Sequence, residues 1–208
     1  MIDTEQRGRR QRHVAEKKEQ ILKAAVQLFA QKGFRATTLK NIAEVADLSE
    51  GTIYNYFDDK EHLFIALLEK LIEEQNKHGM YTKSMPTDTR SFLDAVFDLQ
   101  HEFLNDNREL MRAIFSEILI NEGYREKFFK DYYTPVISFF ILHCQARGVL
   151  GQIRPVNHQI LSRSLVAILY GFYILQLLDD PIINENWEIL RGQTISLLYE
   201  GLSTANVP

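Results

Sequence analysis

The chain has 208 residues, of which 45% are hydrophobic and 25% are charged, and its formal net charge is −4 at pH 7. This composition is that of a soluble globular protein, and the acidic balance argues against nucleic-acid binding through overall charge alone. A membrane-spanning helix needs about 18 consecutive uncharged apolar residues, and no stretch is that long. The polar N-terminal residues lack the apolar segment of a signal peptide. We therefore expect a cytoplasmic protein without membrane contact, and we expect its single cysteine, Cys144, to be a buried free thiol.

The charge is unevenly distributed along the chain. Residues 1–60 contain eleven Lys and Arg against nine Asp and Glu, whereas the remainder carries the acidic excess. Six of these cations form a basic arm near the N-terminus: Arg7, Arg9, Arg10, Arg12, Lys17 and Lys18. A basic N-terminus on an acidic body is typical of a DNA reader with a small electrostatic footprint, although a charge run is more often simply solvated.

Four helices are predicted in the first part of the chain, where apolar residues recur at helical spacing. Their approximate bounds are 16–32, 39–46, 50–57 and 59–79. The residues that fit their starts and stops are Gly33, Thr37–Thr38, Ser49, Asp58 with Glu61, and Gly79.

Five further helices are predicted after a loop at about Met80–Thr89. Their approximate bounds are Asp88–Asn105, Arg108–Ile120, Tyr124–Arg147, Asn157–Asp179 and Asn184–Ser203. Pro135 is expected to kink the third of them and to free backbone carbonyl groups, which could help to open a pocket. Strand signals are nearly absent, so the predicted fold class is all-α with about nine helices.

Residues 38–56 have the proportions of a helix-turn-helix, because a helix of about two turns is followed by a short break and a second short helix. A helix that enters a DNA major groove must be braced from behind and polar in front. The bracing side chains would be Leu39, Ile42, Ala43, Leu48, Ile53 and Phe57. The polar edge would be Glu50, Thr52, Tyr54, Asn55 and Tyr56.

Many residues at fixed spacings between about residues 17 and 65 resemble the N-terminal signature of the TetR family of transcription regulators. They are Ile21 to Ala25, Leu28-Phe29, Gly33-Phe34, Thr37-Thr38, Ile42-Ala43, Ala46, Ser49, Gly51 to Phe57 and Lys60 to Leu63. The family usually has Gly in the turn where this chain has Asp47, a residue that tolerates the left-handed conformation. The resemblance does not extend into the C-terminal part of the chain.

The resemblance implies a set of DNA contacts. Thr38, Tyr56 and Lys60 correspond to phosphate contacts, and residues 50–55 lie where the family approaches bases and the adjacent backbone. The full predicted set is Thr38, Lys40, Ser49, Glu50, Gly51, Thr52, Tyr54, Asn55, Tyr56 and Lys60. Packing inside the small domain is the alternative for the two tyrosines, and a simple helix-start anion is the alternative for Glu50.

The family also implies a helix-turn-helix domain at residues 1–62, with the basic arm at 1–15, and a helical ligand-binding and dimerisation domain at 63–208. The second domain is rich in aromatic residues, most of which we expect to be core. A subset is predicted to line a pocket for a mainly apolar small molecule, with a few polar groups that are more often surface or core. The predicted set is Phe97, Arg112, Phe115, Glu117, Tyr132, Phe139, His143 and Phe172.

The helix at Asn157–Asp179 is apolar on nearly all sides, so one face needs a partner beyond its own domain. By the resemblance, this helix and the last one pair with their copies in a four-helix dimer interface. The predicted interface residues are Leu165, Leu169, Tyr173, Trp187, Ile195 and Leu198.

The predicted function is a dimeric regulator that binds a palindromic operator in double-stranded DNA and responds to a small-molecule effector. Repression relieved by an inducer is the default, and activation remains open. The alternative is a regulator without a small-molecule ligand, whose C-terminal domain recruits a protein partner. The six histidines show no metal-ligand spacing, and no catalytic or phosphate-binding motif is present, so we expect no enzyme, no metal and no cofactor.

Overall fold

The computed structural model of the protein describes residues 2–79 and 84–203. The helices are α1 Ile2–Lys32, α2 Leu39–Val45, α3 Glu50–Tyr54, α4 Lys60–His78, α5 Thr89–Asp106, α6 Arg108–Ile118, α7 Glu122–Phe128, α8 Thr134–Val149, α9 His158–Leu177, α10 Pro181–Glu185 and α11 Trp187–Leu202. A π-helical segment, Phe129–Tyr133, joins α7 to α8. Residues 80–83 of the predicted loop and the side chain of Arg7 lie outside the described part. The all-α prediction is confirmed.

The chain divides into two compact units. The first unit comprises Met1–Leu71 and Glu109–Glu126, and the second unit comprises Ile72–Arg108 and Lys127–Pro208. Most of α6 and the start of α7 therefore belong with the N-terminal helices. The predicted domain division at residues 62 and 63 stays a prediction, and residues 63–71 of α4 group with the first unit.

Local signals set most boundaries of the first four helices as predicted. Gly33 and Gly79 follow α1 and α4 with φ of 80° and 82°, the left-handed conformation that glycine adopts without strain. The Thr38 side chain accepts a hydrogen bond from the Asn41 amide, and the Asn41 side chain accepts one from the Thr38 amide, which completes a capping box.

Several boundaries differ from the predictions, and α3 ends at Tyr54 rather than at residue 56 or 57. Asp59, not Asp58, accepts the hydrogen bond from the His62 amide at the start of α4 (2.7 Å), because that helix begins one residue later than the Asp58 cap requires. The α1 helix begins at Ile2 rather than near residue 16. The last predicted helix is two helices, because Asp180 caps a separate short helix that has Pro181 at its start.

Pro135 lies in the first turn of α8, directly after the π-helical segment. A proline removes a backbone donor and displaces the preceding turn, and the wider π turn accommodates that displacement. The Thr134 hydroxyl donates to the Phe129 carbonyl oxygen at 2.8 Å, which supplies one local bond in the widened turn. The predicted single helix is thus one continuous helical stretch with an irregular turn.

The first unit has a core built from one face of α1 and its neighbours. Ile21, Ala25, Ile42, Ile53 and Leu63 are each fully buried. The Phe64 ring stacks on the Tyr124 ring, with centroids 4.3 Å apart, and the Phe34 ring meets both edge-on. Tyr124 lies on α7, so this aromatic cluster attaches residues 109–126 to the N-terminal helices.

The second unit has its core between α5, α8 and α9. Phe97, Phe103, Phe140, Leu165 and Tyr173 are all buried there. Cys144 is a buried free thiol, as predicted, and burial raises its pKa. Among the described residues, α9 is the one helix long and apolar enough to cross a bilayer, but a core or interface helix meets the same two conditions.

Candidate nucleic-acid interface

The α2 and α3 helices form a helix-turn-helix whose turn is held by backbone geometry. Asp47 lies in the turn with φ of 52°, the left-handed conformation predicted for it. The Leu48 amide donates to the Ala43 carbonyl oxygen at 2.9 Å, which closes the turn against α2. Ser49 then caps α3, where its Oγ accepts from the Thr52 amide at 3.1 Å.

The back of α3 is braced as the sequence predicts. Ile53 is fully buried, and Phe57, three residues after the end of the helix, is also buried. From α2, the buried side chains of Leu39, Ile42 and Ala43 complete the support. Because both helices bury their apolar sides, the opposite edge of α3 is presented to solvent.

Most of the predicted DNA contacts lie on that solvent-facing edge. Tyr54 is 52% exposed, so packing inside the small domain does not account for its side chain. Tyr56 and Thr52 are partly buried, and the Thr52 hydroxyl lies 2.7 Å from the Ser49 hydroxyl. The other exposed members of the set are Thr38, Lys40, Ser49, Glu50, Gly51 and Asn55.

Gly51 is open on the outer side of α3. A Cβ at this position would have the Ser49 hydroxyl, at 3.9 Å, as its one neighbour within contact range among the described residues. Packing within the chain therefore does not require glycine here. A glycine on the outer face of a recognition helix allows another backbone to approach closely.

Lys60 is placed differently from a free phosphate-binding lysine. Its Nζ donates to the carbonyl oxygens of Phe34 (2.8 Å) and Thr37 (3.0 Å). The same ammonium lies 4.3 Å from the centroid of the Phe34 ring. Two of its three donors are thus used to hold the connection between α1 and α2, and a phosphate contact would rest on the third.

Tyr124 is a residue of this unit that the sequence pattern did not single out. Its side chain is 7% exposed, and its hydroxyl has no hydrogen-bond partner among the described residues. Burial, with smaller contributions from the carboxylates of Glu61, Glu117 and Asp59, raises the pKa of Tyr124 to about 12. No local sequence pattern predicts that Tyr124 stacks on Phe64, because the two residues are far apart in the chain.

The eight predicted ligand-binding residues are divided between the two units. Arg112, Phe115 and Glu117 lie on α6 in the first unit, and Arg112 is exposed. In the second unit, the rings of Phe97 and Phe172 are 6.5 Å apart and those of Phe139 and His143 are 4.4 Å apart. Tyr132 is buried, and its hydroxyl accepts a hydrogen bond from the Tyr170 hydroxyl at 3.0 Å.

Gln100 is a polar group of the second unit that the sequence analysis missed. It is 1% exposed, and neither its amide nitrogen nor its amide oxygen has a partner among the described residues. It lies on α5 one turn after Phe97 and one turn before Phe103. A buried amide with both functions unsatisfied is costly and requires an explanation such as water or a ligand.

Four of the six predicted dimer residues lie in the core of their own chain. Leu165, Leu169, Tyr173 and Ile195 are buried within their own chain, with 4% exposure or less, and so cannot line a surface. Trp187 is partly buried and stacks on His101, with ring centroids 3.8 Å apart. The sequence could not tell which side of an apolar helix faces its own domain.

A long apolar groove lies between α9 and α11 on the other side of these helices. Its volume is about 640 Å³, and it is open to solvent. Leu198 from the predicted set lines it, and Leu197 in the same groove is 74% exposed. The full lining is Ile168, Gly171, Phe172, Ile174, Leu175, Thr194, Leu197 and Leu198.

Comparisons with known proteins place this architecture among bacterial regulators. Residues 21–67 match the family model described as bacterial regulatory proteins, tetR family. The chain is 27% identical over 184 residues to YvkB of Bacillus subtilis, described as an uncharacterized HTH-type transcriptional regulator, over 88% of this chain and 95% of YvkB. It is 44% identical over 66 residues to the HTH-type transcriptional regulator RutR of Escherichia coli, over 32% of this chain and 31% of RutR.

A solved structure with the same fold is that of the fatty acid degradation regulator FadR from Bacillus halodurans. Its TM-score is 0.73, its sequence identity is 20%, and the match covers 89% of this chain and 95% of that one. At this identity the likeness shows the fold alone. The predicted family resemblance and helical architecture are thereby confirmed.

Proposed function

We propose that this chain, which belongs to the TetR family of transcriptional regulators, is a repressor that binds a palindromic operator as a homodimer in the cytoplasm. A mainly apolar small molecule bound in the second unit would release it from DNA. DNA binding as a transcriptional regulator follows from the family. The operator symmetry, repression, dimerisation and ligand response are the proposed parts.

The helix-turn-helix is the single observation that carries the proposal. The turn is closed, α3 is braced by buried Ile53, and Tyr54 and Asn55 stand exposed on its outer edge. An asparagine side chain can bind adenine through two hydrogen bonds in the major groove, and Glu50 can accept one from a cytosine amine. Backbone contacts then set the orientation on the duplex.

The groove between α9 and α11 supports the dimer. Only six of the twenty α9 residues are buried within the chain, although the helix is predominantly apolar. Leu178, Leu197 and Ile174 are each at least half exposed. An exposed apolar surface of this kind marks an interaction site, and a second copy of the same groove would cover it symmetrically. Such a dimer would hold two recognition helices for successive major grooves.

The second unit supports a ligand that is mainly apolar with one polar group. Its core helices are aromatic, and Gln100 offers an unsatisfied donor and acceptor beside Phe97. A ligand that hydrogen-bonds both the nitrogen and the oxygen of the Gln100 amide would bind more tightly to the conformation of the protein that encloses it. A ligand shifts the equilibrium between DNA-binding and released states only through such a difference in affinity.

Selection of binding sites from random duplex DNA tests the proposal directly. The expected result is a palindromic consensus whose affinity falls steeply with salt. A family of selected sites without symmetry would contradict the dimeric reader, and no consensus at any salt would contradict DNA reading by α3. A thermal-shift screen of apolar and charged compounds, followed by competition against the consensus duplex, tests release. A preference for small charged ligands would overturn the ligand class.

A further inference from the structure

The helix-turn-helix itself carries the wrong charge for attracting DNA. Between Thr38 and Phe57 there is one lysine, Lys40, against the three acidic residues Glu44, Asp47 and Glu50. The ammonium of Lys60 already binds two backbone carbonyl groups. Because non-specific affinity for DNA comes from neutralising phosphates, cations outside the reading helices must supply a large share of it.

The N-terminal half of α1 carries such cations. Residues 8–18 contain five Arg and Lys against the single acidic residue Glu16. This half is helical from Ile2, yet each of the residues 8–18 is exposed or only partly buried. Residues 8–18 therefore contribute no buried side chain to the core of the first unit. A mainly polar helical segment that buries no side chain gains little stability by itself, which indicates a partner outside the chain.

One face of α1 changes from apolar to basic where the protein core ends. Arg10, His13, Lys17 and Gln20 follow each other at spacings of three and four residues, so they share that face. The same face continues into Ala24, which is buried against the rest of the unit. A molecule bound to the basic part of this face would therefore lie next to the core of the first unit, on its surface.

A hydrogen bond of Gln20 places this face of α1 beside the turn of the helix-turn-helix. Its Nε2 donates to the carbonyl oxygen of Ala46, the last residue before the turn that leads into α3. The Lys17 ammonium donates to Gln20 Oε1 at 3.1 Å, so the basic stretch starts beside that turn. In a helix-turn-helix the N-terminal residues of the recognition helix point into the groove. From Gln20 to Arg10 the helix rises by about 15 Å, which is the length of about four base steps.

We infer that the face formed by Arg10, His13 and Lys17 is a second DNA-binding surface, which binds phosphates of the duplex beside the groove that α3 enters. The inference rests on the proposed function, since it takes the docking direction from α3. It assigns to α1 the phosphate attraction that the acidic helix-turn-helix lacks. Base recognition stays with α3, and α1 adds affinity that is independent of sequence.

Two matched double variants test this surface, and each removes two positive charges from exposed or partly buried positions of α1. The first is Arg10→Ala with Lys17→Ala. The control is Arg12→Ala with Lys18→Ala, because neither residue is three or four positions from Arg10, His13, Lys17 or Gln20. The affinity of each full-length protein is measured over a salt series on the selected consensus duplex and on a scrambled duplex of equal length. Circular dichroism checks that each variant is folded.

The first variant is expected to flatten the plot of log affinity against log salt by about two units per protomer, on both duplexes, while the control changes it by less than half as much. Arg10→Lys with Lys17→Arg is expected to restore the slope. Equal slopes for the first variant and the control would overturn the inference and leave the proposed function intact. If wild type bound the consensus duplex no more tightly than the scrambled duplex, that result would instead count against α3 as the helix that reads the sequence.

Discussion

The two units differ in how completely a single chain buries their apolar surface. In the first unit the apolar sides of α1, α2, α3 and α6 are buried, and the exposed edge of α3 is polar. In the second unit α9 and α11 leave an apolar groove in solvent. A polar exposed edge is typical of a surface that meets another molecule transiently. An apolar exposed groove is typical of one that stays covered.

This difference means that the same kind of substitution should have different readouts in the two units. Damage to the first unit should appear as lost stability or lost DNA affinity of a single chain. Damage to the groove of the second unit should appear first as a change of oligomeric state. The following expectations, in order of decreasing effect, are designed to test that distinction.

Leu197→Glu should have the largest effect, because it places a charge in the groove between α9 and α11. We expect a monomer at micromolar protein concentration and a loss of operator affinity by about 100-fold or more, since two linked half-site contacts become one. Light scattering gives the mass, and a binding titration gives the affinity. Leu142→Glu is the control, because Leu142 is 64% exposed on α8 and does not line the groove. Unchanged mass for Leu197→Glu would refute this groove as the dimer interface.

Tyr124→Ala should lower the free energy of unfolding by about 3–5 kcal/mol, because it removes a buried ring that stacks on Phe64. Tyr124→Phe keeps the ring and removes a hydroxyl without a partner, so its unfolding free energy near neutral pH should lie within about 1 kcal/mol of wild type. Urea denaturation monitored at several pH values compares the three proteins.

The pH dependence of Tyr124 gives a second readout. The raised pKa means that the folded state holds the phenol proton more strongly than the unfolded state. Wild type should therefore keep this contribution below about pH 10 and lose it as pH rises towards about 12. Tyr124→Phe should lose less stability over the same interval. Parallel pH profiles for the two proteins would show that the hydroxyl is not shielded from water.

Lys60→Ala should lower the free energy of unfolding by about 1–3 kcal/mol, because two backbone carbonyl oxygens lose a charged donor. It should also flatten the salt dependence of operator binding by about one unit if the third donor meets a phosphate. Lys40→Ala is the matched loss of one charge from an exposed lysine, and it should leave stability unchanged. A stability loss without any change of salt slope would assign Lys60 to bracing alone.

Gln100→Leu should raise the free energy of unfolding of the unliganded protein by about 1 kcal/mol, because it removes a buried amide that lacks partners. The same substitution should weaken any ligand that binds that amide. Chemical denaturation with and without a compound from the thermal-shift screen separates the two effects. A destabilised, ligand-independent variant would mean that water satisfies Gln100 in solution.

Asp47→Ala should have a similarly small effect, a loss of about 1 kcal/mol relative to Asp47→Gly, because the backbone at this position is left-handed. The same pair of substitutions at Asp58 provides the control, since Asp58 does not have a positive φ. There the alanine variant should be at least as stable as the glycine variant. Thermal unfolding of the four proteins is sufficient to rank them.

The helix-turn-helix could be predicted in detail because its signals are local. Gly33, Thr38 and Ser49 each mark a helix end through backbone geometry or a side chain a few residues away, and each lies where the sequence predicted. The left-handed Asp47 was predictable for the same reason. Where two adjacent residues offer the same signal, as Asp58 and Asp59 do, the local pattern failed by one position.

The sequence by itself thus determined the helical class and the helix-turn-helix, and it carries the resemblance to the TetR family. Only the tertiary structure decided which face of α9 is buried, that α6 packs in the first unit, and that Lys60 binds the connection between α1 and α2. The physical reason is that periodicity locates an apolar face only when the opposite face is polar. A helix that is apolar all round, and a contact between residues far apart in the chain, depend on the packing of the whole unit.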